Sequence, residues 1–510
     1  MKRSLRVLLG VFVISITCIA AISIVWSYNT VRKIEAIVND NIKIYLDDEE
    51  QVLKETDGSK ISPVIINGRT YLPLRPMADL AGFGVEWDDR LQEVLLSSDK
   101  TKGRKYSKVI SRNKKGELTF WHFNKDEMPE FVKAFNEAYP NIKVNAVAVT
   151  DKDYLYQNRL ISRIRAHLDV PDVFSGEAAF IKQFVEMTDA FADITDRAKD
   201  YVGNMIPYTV EMGTDKNGVL RAVSPIGAPG ALAYKKDAAK KYLGTDDPLK
   251  ISEMLSTRDK MIAAAQTLKE KSKGKVALFP TFEEPLRMFM AGRSKGWVTD
   301  GKLTIDQKAL DFIDFAKDMR DNKYEATLDQ WSPDWSAAIA DDEKALVWAC
   351  PSWGIPWIIG SNDKQAANGG RWGLARPGIP YFWNGTWLGI YSKSENQDIA
   401  WEFVKYFTTN EDLMRKWAHE SKDFPNNLQV IAEGYGEENK IMGIDIYKFY
   451  EPFIKDIDGS IFTEYDSEIQ NIYTNNLGFY LNGGEFKTKD ELIKAFKNRV
   501  KNSVVDITVE

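Results

Sequence analysis

The chain has 510 residues, with 68 basic and 74 acidic side chains and a formal net charge of −6. Its composition, 44% hydrophobic and 28% charged, is that of a globular protein, and the length predicts about three domains. Two Cys and three His exclude a disulfide framework and argue against a metal site, and the acidic balance argues against nucleic acid as a partner. We therefore expect neither a metal nor a cofactor.

The amino terminus predicts export. Lys2, Arg3 and Arg6 precede residues 7–26, a run of 20 residues without a charge. A helix of this length spans ~30 Å, enough for a bilayer core, whereas signal peptides usually have an apolar region of only about 7–15 residues. We predict an uncleaved transmembrane segment within residues 1–26, with the rest of the chain anchored on the extracellular face of the cell membrane. A cleaved signal peptide and a lipoprotein modified at Cys18 are the alternatives.

Residues 42–98 predict a small α+β unit. Asn67 and Gly68 lie between alternating apolar residues and predict a β-hairpin, because both turn positions need a positive φ. A short helix that ends at Gly82 and a further strand pair follow. The string SPVIINGRTYLPLRPMADLAGFGVEWDD closely resembles the stalk module, or copper amine oxidase N-terminal-like domain, of exported Gram-positive proteins. The resemblance implies a non-catalytic stalk, and copper is not implied because the segment has neither His nor Cys.

A basic linker follows the stalk. Residues 99–116 contain eight Lys or Arg and one Asp. The favoured interpretation is a solvated spacer that repels itself. Attraction to the anionic cell wall or to lipid headgroups is the alternative.

From residue 117 the pattern predicts an α/β fold. Residues 118–123 read as a buried strand, and residues 142–149 alternate as the next strand. Between them Met128, Phe131 and Phe135 recur at helical spacing, after a capping segment in which Glu127 reaches back to the helix start. Two parallel strands joined by a helix imply a right-handed crossover and an α/β sheet.

Six segments follow one another in the order of a known family. They are GELTFWHFNKDEMPEFVKAFNEAYPNIKVN, VPDVFSGE, VSPIGAPGALAYKKDAAKKYLG, AAIADDEKALVWACPSW, GTWLGIYSKSENQDIAWEFVKYFTTNEDLMRKWA and KDFPNNLQV. Together they resemble the family 1 extracellular solute-binding proteins of ABC importers, relatives of maltose-binding protein of the carbohydrate type. The chain departs from that pattern at residues 341–343, where Asp-Asp-Glu stands in place of a usual Gly.

The resemblance implies a two-lobed periplasmic-binding-protein-like fold of type II for residues 117–510. Lobe 1 would comprise about residues 117–225 and 385–425, and lobe 2 about residues 226–384 and 426–510. The family's solute lies in the cleft between the lobes, which close by hinge motion, and the closed form docks on membrane permease subunits. Residues 225–230, rich in Pro and Gly, are expected to shape the hinge.

The cleft is expected to bind carbohydrate. Eleven of the 14 Trp fall between residues 297 and 417, several of them in loops that offer no helical face to a core. Sugar rings present apolar C–H faces to flat aromatic side chains and hydroxyls to polar ones. The candidate ligand-binding residues are Trp121, His122, Glu177, Trp297, Trp353, Trp383, Trp387 and Asp423.

Each candidate also has a structural interpretation. The indoles can be core residues, as we expect for Trp401 and Trp417 on their helices. His122 can cap a strand end, and Glu177 can be a charge that a helix N-terminus stabilises. Asp172 is expected to be structural.

The predicted function is an extracytoplasmic sugar or oligosaccharide receptor that delivers its ligand to the permease of an ABC importer. A surface-anchored module for glycan sensing or adhesion uses the same cleft without transport, and is the alternative. An enzyme that acts on polysaccharide also needs an aromatic cleft with carboxylates. The sequence contains no nucleophile elbow, P-loop or HExxH motif, so we expect no catalytic residues.

Overall fold

The computed structural model describes residues 36–39, 41–46, 49–54, 59–66, 69–80, 84–88, 93–97, 116–150, 155–420 and 424–510. They belong to two compact units, one within Met1–Lys108 and the other within Val109–Glu510. The predicted transmembrane segment, the turn at residues 67–68, the linker up to residue 115 and Asp423 lie outside the described residues. No helix in the described part of the chain has the length and apolar character that a membrane crossing needs.

The smaller unit consists of short strands and one helix. Its elements are β1 (Ile37–Val38), β2 (Ile44–Leu46), β3 (Glu49–Gln51), β4 (Val64–Ile66), β5 (Arg69–Tyr71), α1 (Leu74–Leu80), β6 (Gly84–Asp88) and β7 (Glu93–Ser97). β4 and β5 pair antiparallel, which confirms the predicted hairpin, and β1 extends this pair to three strands. β6 and β7 form the predicted second pair.

The larger unit contains strands in two main sheets. Its strands are β8 (Glu117–His122), β9 (Lys143–Ala148), β10 (Val173–Glu177), β11 (Ala222–Val223), β12 (Ile226–Gly227), β13 (Gly230–Lys235), β14 (Val298–Thr299), β15 (Lys302–Leu303), β16 (Val347–Pro351), β17 (Trp372–Ala375), β18 (Thr386–Ile390) and β19 (Phe424–Pro425).

Its helices lie between these strands and after them. They are α2 (Met128–Ala138), α3 (Leu155–Arg165), α4 (Ile181–Glu186), α5 (Thr195–Ala198), α6 (Pro207–Gly213), α7 (Lys236–Leu243), α8 (Pro248–Met254), α9 (Arg258–Ser272), α10 (Glu283–Ala291), α11 (Gln307–Asp321), α12 (Pro333–Ala340), α13 (Gln397–Thr409), α14 (Glu411–Glu420), α15 (Leu428–Glu433), α16 (Ile446–Tyr450), α17 (Asp466–Leu481) and α18 (Lys489–Ser503). A π-helix covers Ile355–Gly360.

The first sheet has the strand order β11-β18-β10-β8-β9. β8 is parallel to both β9 and β10, which confirms the predicted crossover through α2. The predicted cap is not formed at the helix start, because Glu127 is the N-cap of α2 and makes no side-chain capping hydrogen bond, although the Asn124 side-chain amide donates to Glu127 at 2.9 Å. Asp172 ties the sheet together by accepting hydrogen bonds from the Thr119 hydroxyl and the Ser394 hydroxyl, both at 2.6 Å. This aspartate is therefore structural, as expected.

The second sheet has the order β16-β13-β17, with both pairings antiparallel. Its strands are buried along their whole length, and helices α9 to α11, α17 and α18 contribute to the core beside it. The names lobe 1 and lobe 2 keep the predicted ranges below, and each of the two sheets lies in one of them. The fold is thus two-lobed and α/β.

Three segments cross between the two sheets and lie side by side. β12 pairs antiparallel with β19, and Pro229 forms a β-bridge with Phe382. The buried side chain of Asn426 stabilises this region with two hydrogen bonds. It accepts from the Ile206 N–H and donates to the Ser224 carbonyl, each at 2.8 Å. These crossing segments include residues 225–230, where the family resemblance predicts the hinge.

Candidate functional site

Three indole side chains form one surface, which we call the tryptophan triad: Trp331, Trp353 and Trp383. The rings of Trp331 and Trp353 are nearly parallel, 12° apart, with centroids separated by 6.5 Å. Trp383 stands across both, with its ring centroid 5.7 Å from that of Trp331 and 5.4 Å from that of Trp353. The Trp353 indole N–H donates to the Trp383 carbonyl at 2.7 Å, so the geometry is fixed by a hydrogen bond.

The triad lies beside the hinge. Trp383 belongs to the second crossing segment, where its backbone N–H donates to the carbonyl of Ala228 at 3.0 Å. Trp353 follows the end of β16, and Trp331 precedes α12. Trp331 is 55% exposed and has a φ of +69°. A bulky residue with positive φ is strained, and such strain is often found at binding sites.

A guanidinium group lies flat against the triad. The guanidinium carbon of Arg287, on α10, is 3.6 Å from the centroid of the Trp383 ring, a cation–π contact. Arg287 donates to the side-chain oxygen of Gln330 at 3.2 Å and to the carbonyl of Glu283 at 3.4 Å. Burial lowers the pKa of Arg287, and negative charges around it, Glu284 first, oppose that effect.

A buried carboxyl group supports the triad from behind. Glu284 is 1% exposed and accepts from the Trp335 indole N–H and the Ala349 backbone N–H, both at 2.7 Å, and from Gln330 at 3.4 Å. Burial raises the pKa of Glu284 to about 7, although these hydrogen bonds favour its charged form. Trp335 in turn packs against Trp331, with ring centroids 5.1 Å apart. Glu284 therefore fixes the position of Trp335, against which Trp331 of the triad packs.

Lobe 1 approaches the same place through the end of β10. Glu177 is the last residue of that strand, and the next backbone N–H, that of Ala178, donates to Gly385 in the second crossing segment at 3.2 Å. Glu177 is partly exposed, and its negative charge raises the pKa of Arg287 in lobe 2. Of the predicted site residues, the structure thus places Trp353 and Trp383 in direct contact, and the chain next to Glu177 is bonded to the segment that carries Trp383.

Trp121 lies one strand away, beside Phe174 in the register of β8 and β10. It is almost fully buried, and the guanidinium carbon of Arg163 is 5.3 Å from its ring centroid. Its buried indole N–H has no hydrogen-bond partner among the described residues. Trp121 is therefore close to the strand end, as expected, but its ring faces the protein.

Three other predicted site residues lie in the core. His122 accepts from the backbone N–H of Asn124 at 3.0 Å and contacts Phe131, which agrees with its alternative role at a strand end. Trp387 is wholly buried and donates from its indole N–H to Thr209 at 2.8 Å. Trp297 is also wholly buried and donates to Gln470 at 3.1 Å.

In this conformation none of these three side chains presents a surface to a ligand, so their prediction as ligand contacts is not supported by their placement. Asp423, the remaining candidate, lies outside the described residues.

The prediction missed Trp331, Arg287 and Glu284. Trp331 precedes Ser332-Pro333, a helix-start signal, so it is a loop tryptophan like Trp353 and the same argument could have selected it. Arg287 and Glu284 lie inside an amphipathic helix, where the sequence does not show which charged side chain turns toward an aromatic cluster.

Comparison with solved structures supports this architecture. A crystal structure of a family 1 extracellular solute-binding protein matches with a TM-score of 0.68 and 18% identity, over 76% of this chain and 100% of that one. The GacH receptor of Streptomyces glaucescens, solved unliganded and with acarbose, matches with a TM-score of 0.60 and 19% identity, over 78% of this chain and 100% of that one.

A further match is the galacto-N-biose-/lacto-N-biose I-binding protein of the ABC transporter of Bifidobacterium longum, in complex with lacto-N-biose. Its TM-score is 0.61 at 19% identity, over 78% of this chain and 100% of that one. At these identities the matches establish the fold.

Two families match the sequence itself. Residues 32–113 match the copper amine oxidase N-terminal domain, which confirms the predicted stalk module. Residues 130–442, more than half of the chain, match the family described as bacterial extracellular solute-binding protein. This chain is therefore a member of the bacterial extracellular solute-binding protein family.

Proposed function

We propose that this protein is an extracytoplasmic receptor that binds a sugar or oligosaccharide between its lobes and delivers it to the permease of an ABC importer. The observation that carries the proposal is the tryptophan triad beside the crossing segments, with Arg287 against Trp383.

The triad suits a pyranose ring. Indole faces pack against the C–H faces of a sugar, and polar groups around them accept and donate hydrogen bonds to the hydroxyls. Here the exposed face of Trp331 and the partly exposed rings of Trp353 and Trp383 supply the apolar part. Arg287 and Glu177 supply the polar part, one from each lobe.

The structural relatives support the same ligand class. The receptor from Streptomyces glaucescens was solved with acarbose, and the protein from Bifidobacterium longum with lacto-N-biose. Both proteins share the two-lobed fold of this chain over their full length. In this chain a ligand that touches the triad and Glu177 together contacts both lobes, and would therefore favour their closure around it.

Binding can be tested by thermal unfolding and tryptophan fluorescence of the full chain against an oligosaccharide panel. A saccharide at about 100 times its dissociation constant should stabilise the protein by ~2.7 kcal/mol. Trp331→Ala should weaken binding at least about 10-fold, because it removes one exposed aromatic face.

Trp357→Ala is the matched control, since Trp357 is also exposed and lies in the same lobe but outside the triad. If amino acids or peptides shift the melting temperature and no saccharide does, the ligand class is wrong. New reducing ends after incubation with polysaccharide would instead favour an enzyme.

Delivery to a permease needs a test in cells. Deletion of the gene should abolish uptake of the labelled ligand, and plasmid-borne protein should restore it. Uptake that persists while a transcriptional response to the ligand is lost would favour the sensing alternative. Cell fractionation with an epitope at the carboxyl terminus tests the predicted location on the outer face of the membrane, which rests on residues 1–26.

A further inference from the structure

Arg287, like Arg376, differs from most poorly exposed arginines of lobe 2 because it has no ion pair with a carboxylate among the described residues. Arg293 pairs with Asp466, Arg320 with Glu325 and Arg371 with Asp363, each through a carboxylate contact of 3.5 Å or less. Among the described residues no carboxylate oxygen lies within 4.0 Å of the Arg287 guanidinium, whose hydrogen bonds go to two neutral oxygens. A partly buried charge without a counter-ion is costly, so a partner from outside the chain is expected.

The nearby carboxyl groups do not fill this role. Glu284 already accepts three hydrogen bonds from Trp335, Ala349 and Gln330. Burial raises the pKa of Glu284 to about 7, so its negative charge is weakened near neutral pH, and burial also raises the pKa of Glu283. Glu177, which ends a strand in the opposite lobe, also raises the pKa of Arg287 by its negative charge.

The position of Arg287 fits a planar anion. Its guanidinium carbon lies 3.6 Å from the centroid of the Trp383 ring, and its N–H groups donate to the Glu283 carbonyl and to Gln330. Arginine has five N–H donors, so donors remain beyond these two hydrogen bonds, and a pair of guanidinium donors matches the two oxygens of a carboxylate. Trp383, which Arg287 contacts, also contacts Trp331 and Trp353, so a sugar ring that carries the carboxylate could pack against the triad.

We propose that the site prefers acidic saccharides, with the carboxylate of a uronic acid bound by Arg287 and the sugar ring placed against the tryptophan triad. This inference rests on the proposed function, because it names the class of saccharide that the same site binds.

The test compares uronate disaccharides with neutral counterparts by isothermal titration calorimetry of the full chain. The pairs are digalacturonate with galactobiose and cellobiouronic acid with cellobiose. A charge-assisted pair should make at least one acidic sugar about 10-fold or more tighter than its neutral counterpart, and added salt should reduce this ratio.

Variants assign the preference to Arg287. Arg287→Gln should bring the ratio of acidic to neutral affinity close to one, and Arg287→Lys should restore part of it. Arg376→Gln should leave the ratio unchanged, since Arg376 stacks on Phe453 and not on the triad. Far-UV circular dichroism and the melting temperature verify that each variant is folded.

Two results would overturn the inference. If neutral disaccharides bind as tightly as their acidic counterparts, or if Arg287→Gln keeps the preference, Arg287 does not select a carboxylate, while the proposed function stands. If no saccharide of either kind binds, the proposed function fails and the inference fails with it.

Discussion

Replacing Glu284 with Gln tests the framework behind the triad. Burial, opposed by hydrogen bonds from Trp335 and Ala349, raises the pKa of this carboxyl from 4.5 to about 7. The native protein therefore keeps a proton on Glu284 over a pH range in which the unfolded chain has released it. Because the native state binds more protons there, the contribution of Glu284 to the free energy of unfolding falls as the pH rises from about 4.5 to about 7.

The expected loss follows from that shift. A pKa that moves from 4.5 to about 7 corresponds to about 3 kcal/mol of stability. Gln cannot ionise, so Glu284→Gln lacks this loss, and its cost of one badly matched hydrogen bond does not depend on pH.

Urea unfolding of both proteins between about pH 4 and about pH 8 measures the effect. The wild-type minus variant difference in the free energy of unfolding should fall by about 3 kcal/mol across this range. The same difference for Glu343→Gln, at an exposed carboxylate in the same lobe, should change little. A flat difference for Glu284→Gln would refute the argument that burial keeps this carboxyl protonated.

Three further substitutions test the core and the hinge. Burial lowers the pKa of Lys235 from 10.5 to about 7. The wild-type minus Lys235→Gln difference in the free energy of unfolding should therefore rise between about pH 7 and pH 10. A constant difference would contradict the lowered pKa of Lys235. Asn426→Ala should cost about 2–5 kcal/mol in urea unfolding, because Ile206 and Ser224 lose a buried partner; a loss under about 1 kcal/mol means that the hinge rearranges. Trp297→Phe should lower the free energy of unfolding by about 1–3 kcal/mol and leave saccharide affinity unchanged in calorimetry. Weakened binding would indicate that Trp297 contacts the ligand.

Much of the fold could be predicted because its signals are local. The Asn-Gly turn predicted the hairpin of β4 and β5, and helical spacing after Glu127 predicted α2 between two parallel strands. The order of the six motifs predicted the two lobes. The pairing of β12 with β19 joins residues about 200 positions apart, and no local pattern shows such a contact.

The site was harder to predict, because burial of an indole depends on contacts that are distant in sequence. Trp383 and Trp387 are only four residues apart in a Gly-marked loop, yet Trp383 joins the triad and Trp387 packs in the core against Thr209. The difference arises at Gly385, where the chain changes from the crossing segment to β18. Composition identified the region that is rich in indoles, and only the tertiary structure separates its exposed rings from its buried ones.

The triad and Glu177 lie in different predicted lobes, and under the proposed closure of the lobes this division has a consequence for how binding is sensed. Trp331 and Trp353 are fixed within lobe 2 by Trp335 and by a hydrogen bond to Trp383, so they offer a ready surface in any arrangement of the lobes. Glu177 ends a strand of the first sheet, in predicted lobe 1. A ligand that rests on the triad alone has the same contacts in open and closed forms and cannot shift their equilibrium. A ligand that is long enough or polar enough to contact Glu177 as well binds the closed form more tightly than the open form. Closure would therefore depend on the length or the polarity of the ligand.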